Sequence, residues 1–434
     1  MRNNMRSSML FWTVLGLCIA AATARADVFV QCPPDTDGVD TDGDGIVDND
    51  NVCRHVAAGD GFVNMADGAL TYIFGFSDVT GLDDESVMTE AMLGAEFPGP
   101  TIVVCQGQKL YLTLTNVGMM MRPDLFDPHT VHWHGFPNAA PVFDGVPDAS
   151  ISVNMGSSLT YFYNAVEPGT YMWHCHVEAT EHMQMGMLAQ IYVLPAQNNL
   201  PDGTDLNGFT HRTGFKYAYN DGDGSTYYDV DYPIQLGSFD PDFHEASVSV
   251  QPLPFAQMRD TYAMLNGRGY PDTTYPAPLA NTWNGNLSQK LDALITAQQG
   301  QEVLLRLSNL STTDYFTVTV LGLPMRRIGA GARLLRGPDG KDLSYDTTAV
   351  TLGGGESADV IVDTTGAALG TYFLYTTNLN HLSNDTEDLG GMMTEIAVVA
   401  PKKNLKQAKN PKGGGGPAAT ADSPGSAKKT KGAR

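Results

Sequence analysis

Three short stretches of this chain occur twice in the same order, and that repeat constrains the fold more than any other feature. Gly107-Gln-Lys-Leu-Tyr-Leu-Thr-Leu-Thr-Asn116 returns as Gly300-Gln-Glu-Val-Leu-Leu-Arg-Leu-Ser-Asn309. Gly169-Thr-Tyr171 returns as Gly370-Thr-Tyr372, and Gly186-Met187 with Ile191 and Val193 returns as Gly391-Met392 with Ile396 and Val398. A common order at offsets of about 190 to 205 residues means two copies of one unit. Each copy carries short runs of period two, such as Tyr111-Leu-Thr-Leu-Thr115 and Asp359-Val-Ile-Val-Asp363, separated by turn residues. Helical periodicity is scarce, and 46 Gly with 25 Pro suit a turn-rich β protein. The expectation is an all-β chain with two β-sandwich domains, 60–197 and 245–400, joined by a Gly, Asp and Tyr-rich connector over 198–244.

The flanks have a different character. Residues 1–26 read as a signal peptide: Arg2 and Arg6 precede an apolar run from Met9 to Ala22, and Ala22-Thr-Ala24 and Ala24-Arg-Ala26 offer small residues for cleavage. That run is too short for a membrane span, and no transmembrane segment is expected elsewhere. The implied location is exported: periplasm, outer surface or extracellular. Residues 401–434 hold nine Lys or Arg against one Asp and cannot bury a core, so a disordered basic tail is expected. Between the signal and this tail, residues 27–400 carry 14 basic and 47 acidic side chains, a balance of −33. Such a surface repels nucleic acid and attracts metal cations or basic proteins, and it also serves solubility alone. The segment 27–59 is the most acidic. Its Asp40, Asp42, Asp44 and Asp48 are candidate calcium ligands in an arrangement that resembles a thrombospondin type 3 repeat more than an EF-hand, because Asn51 stands where a loop-closing Glu would be. A solvated acidic linker is the competing reading. Cys32 and Cys53 bracket this segment and are candidates for a disulfide in an oxidising compartment, whereas Cys105 reads as a buried small apolar residue.

Six of the ten histidines fall in two clusters, His129-Thr-Val-His132-Trp-His134 and His174-Cys175-His176 followed by His182 and Met187. Strand alternation puts His132 and His134 on one face, and likewise His174 and His176, with Cys175 pointing the other way. Cys175, His129, His182 and Met187 supply one thiolate, two imidazoles and a thioether, the ligand set of a blue-copper electron-transfer site. His132, His134, His174 and His176 supply four imidazoles without a thiolate, which suits copper that meets oxygen or another small oxidant. Cys175 is covalently adjacent to both His174 and His176, giving a short through-bond route between the sites. Isolated His55, His211 and His244 read as solvated or internally satisfied. Trp133 and Trp173 read as packing, and Met119, Met120, Met121, Met183 and Met185 as loop or core residues.

The run His-x-x-His-x-His-Gly, followed by His-Cys-His, a His and a Met, resembles the copper motifs of the multicopper oxidases, the family of laccases, bilirubin oxidases and cuprous or manganous oxidases. Phe143-Asp-Gly-Val-Pro147 resembles another stretch shared by that family. More narrowly, the chain resembles the exported multicopper oxidases of metal-reducing bacteria. The resemblance implies two cupredoxin-like Greek-key domains and a one-electron donor (a metal ion, a small phenolic or a redox protein) that reduces a type 1 copper at His129, Cys175, His182 and Met187. It also implies a type 2/3 cluster that reduces dioxygen to water, with His132, His134, His174 and His176 as its catalytic ligands.

Two departures stand out. Six residues separate Cys175 from His182, more than in the commonest oxidase loop. More consequentially, aligning Gly135-Phe-Pro137 with Gly322-Leu-Pro324 puts Phe316, Thr319 and Leu321 in the places of His129, His132 and His134, and Tyr375-Thr-Thr377 in the place of His174-Cys-His176. The family's trinuclear cluster takes eight histidines from two domains, the second supplied in two-domain relatives by a neighbouring subunit of a homotrimer. Here the repeat supplies four. His381 is the candidate for a ligand reaching a neighbouring copy's copper, as a single second-domain His does in copper nitrite reductases. A copper-dependent oxidoreductase is the preferred reading; a non-catalytic copper-binding or electron-transfer cupredoxin, and a nitrite-reductase-like type 2 copper enzyme, are the alternatives.

Overall fold

Period-two runs bounded by turns become two stacked sheets when one face of each is apolar. The computed structural model describes residues 31–34 and 50–401, and that happens twice within them. The signal peptide, the candidate calcium ligands Asp40, Asp42, Asp44 and Asp48, and the basic tail from 402 onward lie outside the described residues. In the first sandwich the strands are β1 (Asn51–Asn64), β2 (Leu70–Asp78), β3 (Ile102–Cys105), β4 (Lys109–Gly118), β5 (His132–His134), β6 (Ser158–Asn164), β7 (Gly169–His174) and β8 (Leu188–Leu194). One sheet runs β2-β1-β4-β6 and the other β3-β8-β7-β5. β1 is parallel to β4 and β3 is parallel to β8. The alternating Leu110, Leu112 and Leu114 meet Trp133, Trp173, Ile191 and Val193 in the core between the sheets.

The second sandwich repeats this plan strand for strand. Tyr262–Leu265, Val230–Phe239, Glu302–Asn309 and Glu356–Asp363 are consecutive neighbours in one sheet. Ile295–Gln298, Met393–Val399, Gly370–Thr376 and Phe316–Leu321 are consecutive neighbours in the other. The same two pairings are parallel, Val230–Phe239 with Glu302–Asn309 and Ile295–Gln298 with Met393–Val399. Small devices repeat too. The Tyr171 hydroxyl donates to Glu167 O at 2.9 Å and its counterpart Tyr372 to Ala368 O at 3.0 Å, the tyrosine-corner contact of β-sandwiches. Asn116 donates to Asp127 O and Val153 O, each at 2.9 Å, and Asn309 donates to Asp314 O and Leu352 O. These asparagines close the two recurring stretches, and each fastens the loop that leads into the motif-bearing strand of its own sandwich.

Both domain starts expected from sequence move toward the N-terminus. β1 begins at Asn51 rather than 60, and Val230–Phe239, within the expected connector, is the second sandwich's counterpart of β1. The alternation that marks a strand is weak in both, because Gly59 and Gly61 interrupt β1 and Pro233 interrupts the other. Cys105 is half-buried at the end of β3 rather than buried.

The sandwiches meet around Arg306, which stands where the first copy has Thr113. Its guanidinium is fully buried, 3.0 Å from Asp231 Oδ2 and 3.8 Å from Asp359 Oδ1, and it lies 4.6 Å over the Tyr192 ring of β8. Thr170 of β7 donates to Asp359 Oδ1 at 2.6 Å, and Gln190 of β8 donates to Arg306 O at 2.8 Å. None of the described helices is long and apolar enough to cross a membrane.

Cys32 and Cys53 form a disulfide that ties the described residues before the acidic segment to β1. Closing a loop of this length restricts the unfolded chain by roughly 3 kcal/mol. Replacing both cysteines by serine should therefore lower the thermal midpoint by several degrees while the visible spectrum of copper-loaded protein stays unchanged. An unaltered midpoint would show that the link carries no stability.

Candidate metal centre

β5 is only three residues long, yet its pairing with β7 organises the whole site. His132 lies opposite His174, Trp133 opposite Trp173 and His134 opposite Met172. The two tryptophans turn into the core, fully buried, with ring centroids 6.4 Å apart. The histidines therefore emerge together on the other face. Their rings interlock: His132 is 5.1 Å from His174 and 4.9 Å from His176, and His174 stacks on His176 at 5.6 Å.

Donor atoms of His132, His134 and His174 all lie within 4.8 Å of one another, with His134 Nδ1 3.4 Å from His174 Nε2. His176 lines the same cleft, its ring 4.9 Å from that of His132, but its donor atoms fall outside this group; its backbone N–H donates to Thr130 Oγ1 at 3.1 Å. Two of the three converging rings have their orientation fixed by backbone. His132 Nδ1–H donates to Asp144 O at 2.6 Å, and His174 Nδ1–H donates to Cys175 O at 2.8 Å, which leaves both Nε2 atoms as acceptors. Metal-binding histidines are characteristically held this way. The stretch Phe143-Asp-Gly-Val-Pro147 thus has a physical role that its sequence did not announce. Gly145, at φ 77°, packs against the Val131 carbonyl where any Cβ would collide, and that contact brings Asp144 O to His132.

Burial lowers the basicity of all three rings, taking His174 down to about 3, so they are neutral and ready to ligate at neutral pH. They open on a cleft of about 390 Å³, closed opposite by Leu310–Tyr315 and Gly354–Gly355 of the second sandwich. Gly355, at φ 88°, comes so near that a Cβ there would sit 2.8 Å from His134 Nε2.

Cys175 follows β7 and points to the opposite side, as strand alternation requires. Its Sγ is 3.3 Å from His182 Nδ1 and 3.7 Å from His129 Nδ1, and all three residues are buried. The loop is closed by two backbone bonds, Cys175 N to Met187 O at 3.1 Å and Met187 N to His182 O at 2.8 Å, with Met187 fully buried. Burial by itself raises the thiol's pKa, but the His182 charge and hydrogen bonds from His129 and His182 hold it well below the ordinary value. Asp127 Oδ2 lies 3.8 Å from His182 Nε2 and is 19% exposed, so it leads from the buried imidazole toward solvent. Sequence reasoning missed Asp127 and Asp144 because each acts on a ring from a separate loop.

The second sandwich preserves the frame of the thiolate site but only two of its four donors: His381 and Met392 stand where His182 and Met187 do, with Phe316 and Thr376 in the places of His129 and Cys175. Thr319 pairs with Tyr375 as His132 pairs with His174, which matches the sequence alignment. Thr376 N donates to Met392 O at 3.0 Å and Met392 N to His381 O at 2.9 Å, reproducing the Cys175, Met187 and His182 bonds one for one. The Phe316 and His381 rings are 5.2 Å apart, and the His129 and His182 rings 5.0 Å. His381 is therefore the counterpart of His182. It lies 3.7 Å from Asp314 in a neighbouring cleft and does not line the histidine cleft of its own chain.

His55, His211 and His244 are buried and partnered, as expected of internally satisfied residues. His244 Nδ1 lies 2.6 Å from Tyr72 O and Nε2 3.0 Å from Gln184 O, so the neutral ring donates to one of the two carbonyls while packing beside the helix Ala179–Gln184 that carries His182. Burial pulls its pKa down to about 4. The unfolded chain binds this proton first, so the associated stability is full above about pH 6.5 and is lost as pH falls toward 4, an effect on the order of 3 kcal/mol. Metal-free protein should melt progressively lower across that window, and His244→Gln should flatten the dependence. An unchanged slope in the variant would assign the acid sensitivity elsewhere.

Comparison with known proteins points one way. The sequence family described as Multicopper oxidase matches residues 80–198, and a second one of the same description matches residues 247–399. Copper resistance protein A of Escherichia coli is 25% identical over 293 residues, 62% of this chain and 42% of that protein. The chain spans less than half the length of the curated relatives it matches. Among solved structures, Blue Copper Oxidase from Nitrosomonas europaea aligns with a TM-score of 0.57 at 21% identity, covering 83% of this chain and 91% of that one. Copper nitrite reductase from Nitrosomonas europaea aligns at 0.53 and 16% identity, covering 80% and 94%. At these identities the two structures share the fold.

Proposed function

The chain belongs to the multicopper oxidase family, which implies copper, and from that premise we propose that it is an exported oxidoreductase passing electrons from an external one-electron donor to dioxygen bound in the histidine cleft. The observation that carries this reading is the placement of two donor sets on opposite sides of one residue: a thiolate with two imidazoles on the inner side of Cys175, and converging imidazoles on the outer side. Copper bound in these places supplies one-electron transfer at the thiolate and reduction of dioxygen at the imidazoles.

His129, Cys175 and His182, with Met187, would hold the first ion, and the buried, dry setting suits a site that exchanges electrons without binding substrate. The link from Cys175 to His174 is doubly secured, by the peptide bond and by the His174 Nδ1–H bond to Cys175 O. Asp144 O holds the His132 tautomer so that Nε2 faces the cleft. Asp127 marks the donor side, and a carboxylate next to His182 favours a cationic donor over a neutral phenolic one. The Cys32–Cys53 disulfide fits an oxidising compartment.

Donor-dependent oxygen uptake by copper-loaded protein tests the proposal. Uptake together with blue absorption is expected; blue protein that consumes no oxygen with any donor class would leave an electron carrier. Asp127→Asn should slow turnover several-fold with a metal-ion donor at low salt and much less with a phenolic donor. Equal slowing of both would place the donor elsewhere.

A further inference from the structure

We infer that the histidine cleft holds a single copper ion, ligated by His132, His134 and His174, in place of the family's three. The inference rests on the copper-oxidoreductase reading above and concerns what that reading leaves open, the nuclearity of the centre.

A trinuclear cluster does not fit the residues present. The chain has ten histidines, all among the described residues. His129 and His182 flank the thiolate. His55 bonds Thr115 within the first sandwich, His211 bonds the Tyr217 hydroxyl, and His244 sits between two backbone carbonyls. His381 occupies the second sandwich's counterpart of the His182 position, beside Asp314 and Phe316. Four histidines remain. Association of identical copies could add at most His381 to a neighbour's cleft, still three short of the family's eight.

Opposite the imidazoles, the second sandwich lines the cleft with Leu310–Tyr315, Gly354 and Gly355, none of them a histidine, and Gly355 lies against His134 Nε2. The three donors that do converge fit one ion. Ligand atoms about 2 Å from a common metal stand no more than about 4 Å apart; His134 Nδ1 and His174 Nε2 are 3.4 Å apart, and all three donors lie within 4.8 Å of one another, so small ring rotations would bring them onto one ion. His132 and His174 already have their other ring nitrogens bonded to backbone, as metal-ligating histidines do. The three imidazoles open on the cleft, so an ion held by them would keep a position free for a small oxidant, as in catalytic rather than structural metal sites.

The test is the copper content of full-length protein loaded with excess copper and desalted, read with its paramagnetic resonance spectrum. About two ions per chain are expected, one with the thiolate signature and one without it, and all of the copper visible by resonance. His134→Gln should reduce the count to about one with blue absorption intact, whereas His176→Gln should leave it at about two. Should His134→Gln fail to fold, the His176 variant and the wild-type spectrum still decide. About four ions per chain with a resonance-silent fraction would overturn the inference and leave the oxidoreductase reading standing. Loss of the cleft ion on His381→Ala would also overturn it, in favour of a ligand from a neighbouring copy. A wild-type chain that binds only the thiolate ion overturns the oxidoreductase reading itself.

Discussion

Cys175→Ser is expected to remove blue absorption completely and to lower donor-driven oxygen uptake by on the order of 100-fold or more. Losing an outer partner of a metal ligand already costs about 10–100-fold in affinity or activity, and this change removes a ligand outright. A serine hydroxyl stays protonated where the thiol is held low by His182 and His129, and soft thiolate is what selects copper at such a site. The position is also the one covalent neighbour of His174 that faces the other donor set, so the route between the sites is cut together with the site. The converging histidines should be unaffected, because His174 bonds the backbone carbonyl of residue 175 and not its side chain. Copper without the thiolate signature should thus persist in the variant, which separates a broken route from a misfolded chain. Uptake within a few-fold of wild type would place the electron entry elsewhere.

Arg306→Met should be the most destabilising single change away from the metal ligands. The guanidinium is fully buried between Asp231 and Asp359, and removing it leaves Asp359 buried with no opposing charge. Breaking a buried pair from one side costs roughly 3–5 kcal/mol, a large share of the 5–15 kcal/mol typical of a whole domain. The thermal midpoint should fall by roughly 10 °C. Asp359 also accepts from Thr170 of β7 and from Tyr219, so the loss is felt at the contact between the sandwiches. Replacing Arg306, Asp231 and Asp359 together by apolar residues should recover much of the stability, since what destabilises is the unmatched charge. A single variant that melts like wild type would mean that water reaches the pair.

Much of the architecture was legible before any coordinates, because strand alternation and an internal repeat are written directly in residue order. That His132 shares a face with His134, and His174 with His176, while Trp133 lies on the other face, follows from period two alone. So does the separation of Cys175 from its flanking histidines; the register His132 opposite His174 does not. What stayed hidden was fixed by contacts between distant segments. Asp144 reaches His132 only because Gly145 packs on Val131, and nothing in Phe143-Asp-Gly-Val-Pro147 states which ring it serves. The first strand of each sandwich was hidden by Gly59, Gly61 and Pro233, which interrupt the pattern but not the pairing. The place of His381 was hidden for a related reason. Its distance from the lost His-Cys-His motif does not tell that it is the counterpart of His182, which the Met392 N to His381 O bond makes plain.

The most direct test of the account is reoxidation of copper-loaded protein that has been reduced anaerobically and then mixed with dioxygen, following the return of blue absorption. The wild-type chain is expected to recover its colour rapidly, and His134→Gln, which keeps the thiolate site, is expected to stay bleached on the same timescale. Equal recovery in both would show that electrons leave the thiolate site without passing through the histidine cleft, and would contradict the central claim.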